Sequence, residues 1–395
     1  MIITVFEDSN SFTLSPININ HASFELRCGA FSNLDRIKQS ISEDDSIQLI
    51  VRTEIIDLVR QRHPDLTVNP EEVSRGVWVN GRGVWTETNI KSIVSNRSYS
   101  SKGTLLGLGS ENNIKLADFY SYLDSSATIS EEIDMFYFEN IWDGIFFQSK
   151  LIEQDAHHFL NYKIGSIHPS VVIESGDNIF IGKNVKVGPG VVLDASFGPI
   201  IIDNNTIIDI GSLIKGPIYI GEDTIVNPGA KLRGNISLGP KCKVGGEIED
   251  VIIQGYTNKQ HDGFLGHSHL GEWINLGANT NNSDLKNNYG LIQLNNENQK
   301  ITTNKQFLGT IMGDYSRAGI STMLNTGTII GIGANIFGSG FQEKYIPSFS
   351  WGKNEITQLD KFIETISIMK NRRKLDLSSI EKLFLTNLYN KLINK

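Results

Sequence analysis

From Ile202 a step of six lands on Ile208, Ile214, Ile220, Val226, Leu232, Leu238 and Val244, and every one is aliphatic. A shorter run, Ile181, Val187 and Leu193, precedes it, and Met312, Ala318, Leu324, Ile330 and Ile336 follow. An amphipathic helix repeats near 3.6 residues and a strand near two. A period of six with one inward aliphatic is neither. It describes a short strand and a tight turn, and stacked units of this kind make a parallel β-helix. Asn and Gly suit the turns because they tolerate positive φ. The register breaks at DASFGPII, before Ile202. It breaks again over the polar stretch ANTNNSDLKNNYGLIQLNNENQKITTNKQF, between Leu276 and Met312. A long loop ejected from a regular solenoid is expected to be functional or flexible.

The solenoid accounts for residues 165–345 and leaves two ends. Residues 1–150 carry no hexads and read as a mixed α/β domain. IQLIVRTEIIDLVRQRHPDL gives a strand at Ile47–Val51 and a helix ended by Pro64, and FSNLDRIKQSI gives another helix. GVWVNGRGVW has the pattern of a hairpin turning at Asn80–Gly81. Glu131–Tyr162 is expected to bridge helically onto the β-helix. Residues 353–395 form a lysine-rich helical tail. Its last helix starts at a capping-box pattern, Ser378 to Glu381, and its basic residues are read as a solvated face.

Bulk numbers exclude some classes. The net charge of -8 over 395 residues argues against a nucleic-acid partner. Only Cys28 and Cys242 occur, so a disulfide framework is not expected and a reducing cytoplasm fits. Cys242 falls at an inward-packing hexad position. The start MIITVFEDSN lacks the basic opening of a signal peptide, and no apolar run is long enough to span a membrane.

Three of the 8 histidines fall within HDGFLGHSHLGEW, at His261, His267 and His269. The stretch to Gly290, HDGFLGHSHLGEWINLGANTNNSDLKNNYG, resembles the acetyltransferase part of the bifunctional N-acetylglucosamine-1-phosphate uridylyltransferase/glucosamine-1-phosphate acetyltransferase family. The matching elements are His261, Leu265-Gly266 and Asn275-Leu276-Gly277-Ala278-Asn279-Thr280. The nearest likeness is to a predicted sugar-nucleotidyltransferase branch with a degenerate N-terminal domain. It is strong over residues 240–352 and faint before them.

The resemblance implies a left-handed β-helix, a homotrimer with sites between neighbouring β-helices, and acyl-CoA, such as acetyl-CoA, as co-substrate. The acceptor would be an amino sugar phosphate or a nucleotide-linked amino sugar. It places the general base on His261, a histidine being able to accept and return a proton near neutrality. It places substrate contacts on Asn275, Asp284, Lys286, Asn288 and Phe264. Phe264 stands for a tyrosine, Asp284 for an asparagine, and Gly290 for a lysine that Lys286 could replace. Arg317 is a candidate for a CoA phosphate.

In the N-terminal domain the family's glycine-rich loop, L-x-x-G-x-G-T-R-x-x-P, is missing. Arg27 and Gly29 of ELRCG would be its nucleotide-binding remnant. Nucleotidyl transfer from UTP or dTTP, with Mg2+, is the alternative activity. Two other readings stand beside these. A β-helix of this kind also carries the γ-class carbonic anhydrases, whose zinc takes three histidines. A scaffold or a sugar-nucleotide sensor without turnover is the other.

Overall fold

The computed structural model describes residues 1–127, 130–162, 166–296 and 299–393. The remainder, which includes the expected first residue of the solenoid and the last of the tail, lies outside the described residues. The chain divides into two units.

The first unit takes in Met1–Leu26, Phe31–Asn140 and Ser378–Asn387. Its sheet is built on β1 (Ile2–Phe6), whose residues Ile3, Val5 and Phe6 are fully or almost fully buried. After α1 (Asn33–Gln39) the chain forms β2 (Ser46–Ile50), parallel to β1. Ser32 caps α1 by accepting the Asp35 N–H. Helix α2 (Ile56–Arg62) stops immediately before His63-Pro64, because proline disfavours helix in the residue before it.

The NG pair does not make a hairpin. Strand β3 (Gly76–Asn80) lies between β1 and β4 (Thr104–Ser110), parallel to the first and antiparallel to the second. With both edges taken, it cannot pair with the residues that follow it. Asn80 is held by its side chain instead, donating to Asp8 Oδ2 at 2.9 Å and to the Leu105 carbonyl at 2.9 Å.

The second unit takes in Arg27–Ala30, Ile141–Leu377 and Leu388–Lys395. It is a parallel β-helix, with one 11-stranded and one 13-stranded sheet running coil on coil. Ile202, Ile220 and Leu238 stack in one column, and Ile208, Val226 and Val244 in another. All hexad positions named above are buried, each Val, Leu, Ile or Met among them contributing roughly 2 kcal/mol through removal of its side chain from water. Cys242 joins this core, and burial pushes its thiol up to about 12.

One inward position departs from the pattern. Val244 pairs with Lys259, which stands where the column calls for an aliphatic and is 2% exposed. Its ammonium reaches the His261 carbonyl at 2.5 Å.

The coil corners use left-handed backbone. One corner column runs Asn184, Asn205, Asp223, Lys241, Tyr256, Trp273, Tyr315, Gly333 and Phe349, all with φ between 53° and 68°. Positive φ costs a bulky L-residue about 1–2 kcal/mol, and stacking offsets it. The Tyr256 and Trp273 rings lie 4.5 Å apart and nearly parallel. Helix α3 (Asp143–Asp155) contacts the 13-stranded sheet. Helix α4 (Leu359–Asn371) sets Phe362 against Tyr315 and Phe349, on the aromatic half of the corner. Gly333 is needed beneath it, since a Cβ there would collide with the Phe362 and Phe349 rings. Helix α5 (Ser379–Ile393) begins with Ser378 accepting the Glu381 N–H at 3.1 Å, as the capping pattern predicts. The tail is not one body, because Ser378–Asn387 belongs to the first unit.

The middle residues of the 13-stranded sheet's triplets point outward, yet Ile201, Tyr219, Ser237, Ile252, His269 and Ile311 are buried. Arg27–Ala30 covers part of this face. Ser237 Oγ donates to the Gly29 carbonyl at 2.6 Å, and Asp155 accepts the Ala30 N–H. Gln254 Oε1 accepts the Arg27 N–H, so its amide nitrogen must donate to His269 Nε2 at 2.6 Å. His269 Nδ1–H then donates to the Ile141 carbonyl at 3.3 Å. That chain fixes a neutral ring.

Two buried bases give pH signatures of the same sign in two different windows. Burial lowers Lys259 from 10.5 to about 8. Between those values the unfolded chain holds a proton that the folded one lacks, so stability rises with pH across that window. Burial lowers His269 from 6.5 to about 4, so stability falls as pH drops from 6.5 to about 4. Lys259→Met is expected to raise stability at neutral pH by about 1–3 kcal/mol. His269→Gln is expected to flatten the acid limb. Denaturant melts at stepped pH read both.

A histidine between two carboxylates

The second unit's corner at Asn235, Asp250 and His267 also uses left-handed backbone, at φ 53°, 53° and 43°. Asp250 and His267 sit one above the other because β5 (Glu247–Gly255) and β6 (Phe264–Glu272) pair in parallel, with Glu249 opposite Gly266 and Val251 opposite Ser268. The left-handed turn at His267 separates its ring from that of His269, two residues on. His269 points to the covered face, and His267 points along the corner.

His267 Nδ1 lies 2.8 Å from Asp284 Oδ2. A carboxylate accepts, so Nδ1 carries the hydrogen and Nε2 offers its lone pair. Asp250 Oδ2 stands 3.6 Å from that Nε2, close enough to stabilise a proton arriving there. Asn235 donates to Asp250 Oδ1 at 2.9 Å, and Gln148 of α3 donates to the Asn235 carbonyl at 2.7 Å. Glu249 is held by Arg233 at 3.2 Å. Burial raises both Asp250 and Glu249 above the ordinary carboxylate range, with His267 opposing the shift for Asp250 and Arg233 opposing it for Glu249. The His267 and Asp284 side chains are each 16% exposed, so a small molecule can reach them.

The ejected loop supplies the rest. Asp284 stands at its start and Phe307 near its end. The two ends are tied by the Leu308 N–H to the Asp284 carbonyl and the Gly309 N–H to the His267 carbonyl. Phe307 stacks on the His267 imidazole at 5.1 Å, and Phe146 of α3 lies 6.3 Å from it. Behind the histidine, Asn282 holds the Gly266 peptide at both ends. It accepts the Gly266 N–H at 2.8 Å and donates to the Gly266 carbonyl at 2.9 Å. Gly266 has no side chain to spare room for, since a Cβ there would collide with Asp284 Oδ2 and the Phe264 ring.

The expected site residues are therefore divided. Asp284 and Phe264 gather at His267. His261 is exposed at another turn, where its carbonyl takes the Lys259 ammonium. Lys286 donates to the Leu291 carbonyl and Asn288 accepts the Gly290 N–H, both within the loop. Asn275 lies on the 11-stranded sheet, 3.4 Å from Asn258. Arg317 reaches Met369 of α4. Arg27 and Gly29 are bound to the β-helix, Arg27 through the Ala30 carbonyl at 2.6 Å and the face of Tyr219. They do not form a phosphate loop beside β1. The three clustered histidines have separate partners and do not gather as a ligand set among the described residues, so the geometry gives the zinc reading no support. Asp250, Asn282 and Phe307 escaped sequence reasoning. Only the acidic alternation in EIEDV hinted at the first.

In the first unit the loop after β1 presents carbonyls inward. Arg52 donates to the carbonyls of Asn18, Ile19 and His21 and is paired with Glu7. Burial raises Glu7, against the Arg52 charge. Arg82 holds Asp8. Converging carbonyls have the wrong sign for a phosphate cradle, and the acids beside them, Glu7 and Asp8, are already paired with arginines.

Residues 3–162 match the family described as sugar nucleotidyl transferase. A curated relative from Sulfurisphaera tokodaii, named bifunctional sugar-1-phosphate nucleotidylyltransferase/acetyltransferase, is 28% identical over 229 residues, 56% of this chain and 55% of the relative. The chain thus spans about half the length of that relative. Among solved structures, a UDP-N-acetylglucosamine acyltransferase from Campylobacter jejuni is 14% identical, covering 58% of this chain and 85% of its own, with a TM-score of 0.27. LpxA from Acinetobacter baumannii is 16% identical, covering 43% and 70%, with a TM-score of 0.16. At such scores the ground for the fold is the coil pairing itself.

Gly266→Ala is expected to displace Asp284 and Phe264 while leaving the remote coils folded. Turnover should fall by about tenfold or more with unchanged far-ultraviolet circular dichroism.

Proposed function

We propose that this chain, which is similar to a bifunctional sugar-1-phosphate nucleotidylyltransferase/acetyltransferase, transfers an acyl group from an acyl-CoA to an amino sugar. The acceptor is an amino sugar phosphate or a nucleotide-linked amino sugar. The observation that carries the reading is the His267–Asp284 hydrogen bond with Asp250 beside the other nitrogen.

Asp284 holds the ring with Nε2 as acceptor. The sugar amine attacks the thioester carbonyl, and its proton passes to Nε2. Asp250 and Asp284 stabilise the imidazolium. Collapse of the tetrahedral intermediate breaks the carbon–sulfur bond, and the proton returns to the leaving thiolate. Glu249, Asp250 and Asp284 together attract an acceptor that arrives as an ammonium ion and gives one proton to solvent before it attacks, so an amine is favoured over a hydroxyl. The base is thus proposed one hexad later than the family resemblance put it. His261 is exposed and has no carboxylate to orient it among the described residues.

The reading carries a homotrimer with it. Exposed Ile210, Leu213 and Ile320 provide apolar surface for a neighbour to cover. Nucleotidyl transfer by the first unit is a second reading, favoured by the family match over residues 3–162. Titration with UTP and dTTP tests it.

Acyl transfer to a panel of amino sugars should fall by about 100-fold or more in His267→Ala, with His261→Ala close to wild type. Loss in His261→Ala alone would return the base to that position. Equal activity in all three proteins would remove both.

A further inference from the structure

The basic tail, Asn275 and Arg317 have no part in the reaction proposed above, yet the structure brings them to one place. On the 11-stranded sheet Lys243, Asn258, Asn275 and Arg317 follow one another in successive coils, at the outward position. The end of α4 meets them. Arg373 donates to Asn258 Oδ1 at 2.8 Å, and Met369 touches Arg317.

Elsewhere in the chain arginines carry carboxylates: Arg52 holds Glu7, Arg62 holds Glu25, Arg82 holds Asp8, Arg97 holds Glu131, and Arg233 holds Glu247. Among the described residues no carboxylate pairs with Lys243, Arg317, Arg372 or Arg373. Lys243, Arg317 and Arg373 are also half-buried. Burial pulls the Lys243 ammonium below its ordinary range, and Arg373 and Arg372 push it the same way. Arg373 is lowered by burial, with Arg372 adding to the shift.

Capping of α4 does not account for these cations. The carbonyls of Ile368, Lys370 and Asn371 already accept backbone N–H groups from Arg372, Arg373, Leu375 and Lys374. Partly desolvated cations that repel one another cost stability unless an anion joins them. Asn258 and Asn275 add neutral amides that can orient an oxyanion.

We infer that this face is a binding site for an organic diphosphate, with Lys243, Arg372 and Arg373 as the charge and Asn258 and Asn275 as orienting groups. Two adjacent phosphates match a coil lysine facing two neighbouring tail arginines better than one does, and guanidinium groups take phosphate oxygens in pairs. Nucleotide sugars and CoA both carry this group. The site lies on a different sheet from His267, and the inference does not depend on the acyl-transfer reading.

The test is calorimetric titration of the full chain with inorganic pyrophosphate. Saturable binding is expected, tighter than that of orthophosphate. Lys243→Gln and Arg373→Gln should each weaken it by about tenfold, while thermal unfolding without ligand is unchanged or shifts upward. Arg372→Gln, at an exposed position, gives a variant with little risk to folding. No saturable binding by wild type, or equal binding by all three variants, would overturn the site. Competition with UDP and with CoA then assigns the source. Displacement by either supports an organic diphosphate, and displacement by neither overturns that class.

Discussion

The inward side chain of one coil resting on that of the next is the contact on which the second unit depends. Each such contact is short in sequence and repeats along the axis, as Ile202, Ile220 and Leu238 do. The backbone ladders and the aliphatic columns share one register. An insertion can therefore be absorbed only where the chain leaves the coil entirely. The long loop between Leu276 and Met312 does this, and the coil resumes with Arg317 above Asn275. Its two ends come back to one corner, so the excursion delivers Asp284 and Phe307 to the same imidazole.

The corners set the chemistry. Left-handed backbone is cheap for Gly, tolerated by Asn and His, and costly for Tyr, Trp and Phe. At one corner the chain offsets the cost with stacked rings under α4. At the other it carries a histidine whose two nitrogens face carboxylates from two different parts of the chain, one in the coil below and one at the start of the loop. A left-handed backbone and unusual polar contacts coincide at His267, and such coincidence is characteristic of working sites.

Much of the fold is legible in the residues. The hexads mark the inward columns, and Ser378 and Glu381 mark the start of the last helix. The NG pair misled because a turn signal says nothing of whether a strand's edges are already taken. The site was less legible. Asp284 follows from alignment, but its partner does not, because spacing along the chain cannot show which turn rotates a ring toward the loop. His261 and His267 are equivalent in a count of sixes. They differ only in what stands beside them. Asp250 and Asn282 look like ordinary turn residues until the coils are stacked. Lys259 breaks the aliphatic column, which shows that the hexad rule describes volume more than polarity.

The second unit includes a piece made long before the rest of it. Arg27–Ala30 gives the Ser237 hydroxyl its acceptor, Gln254 the N–H it accepts, and Asp155 the N–H of Ala30. During synthesis this short segment leaves the ribosome while Ser237 and Gln254 are still untranslated, and it has to stay available until their coils form. A fragment beginning at Ile141 would expose a buried row of polar groups on the covered face with nothing to meet them. The β-helix repeats locally, but its completion waits on the oldest part of the chain.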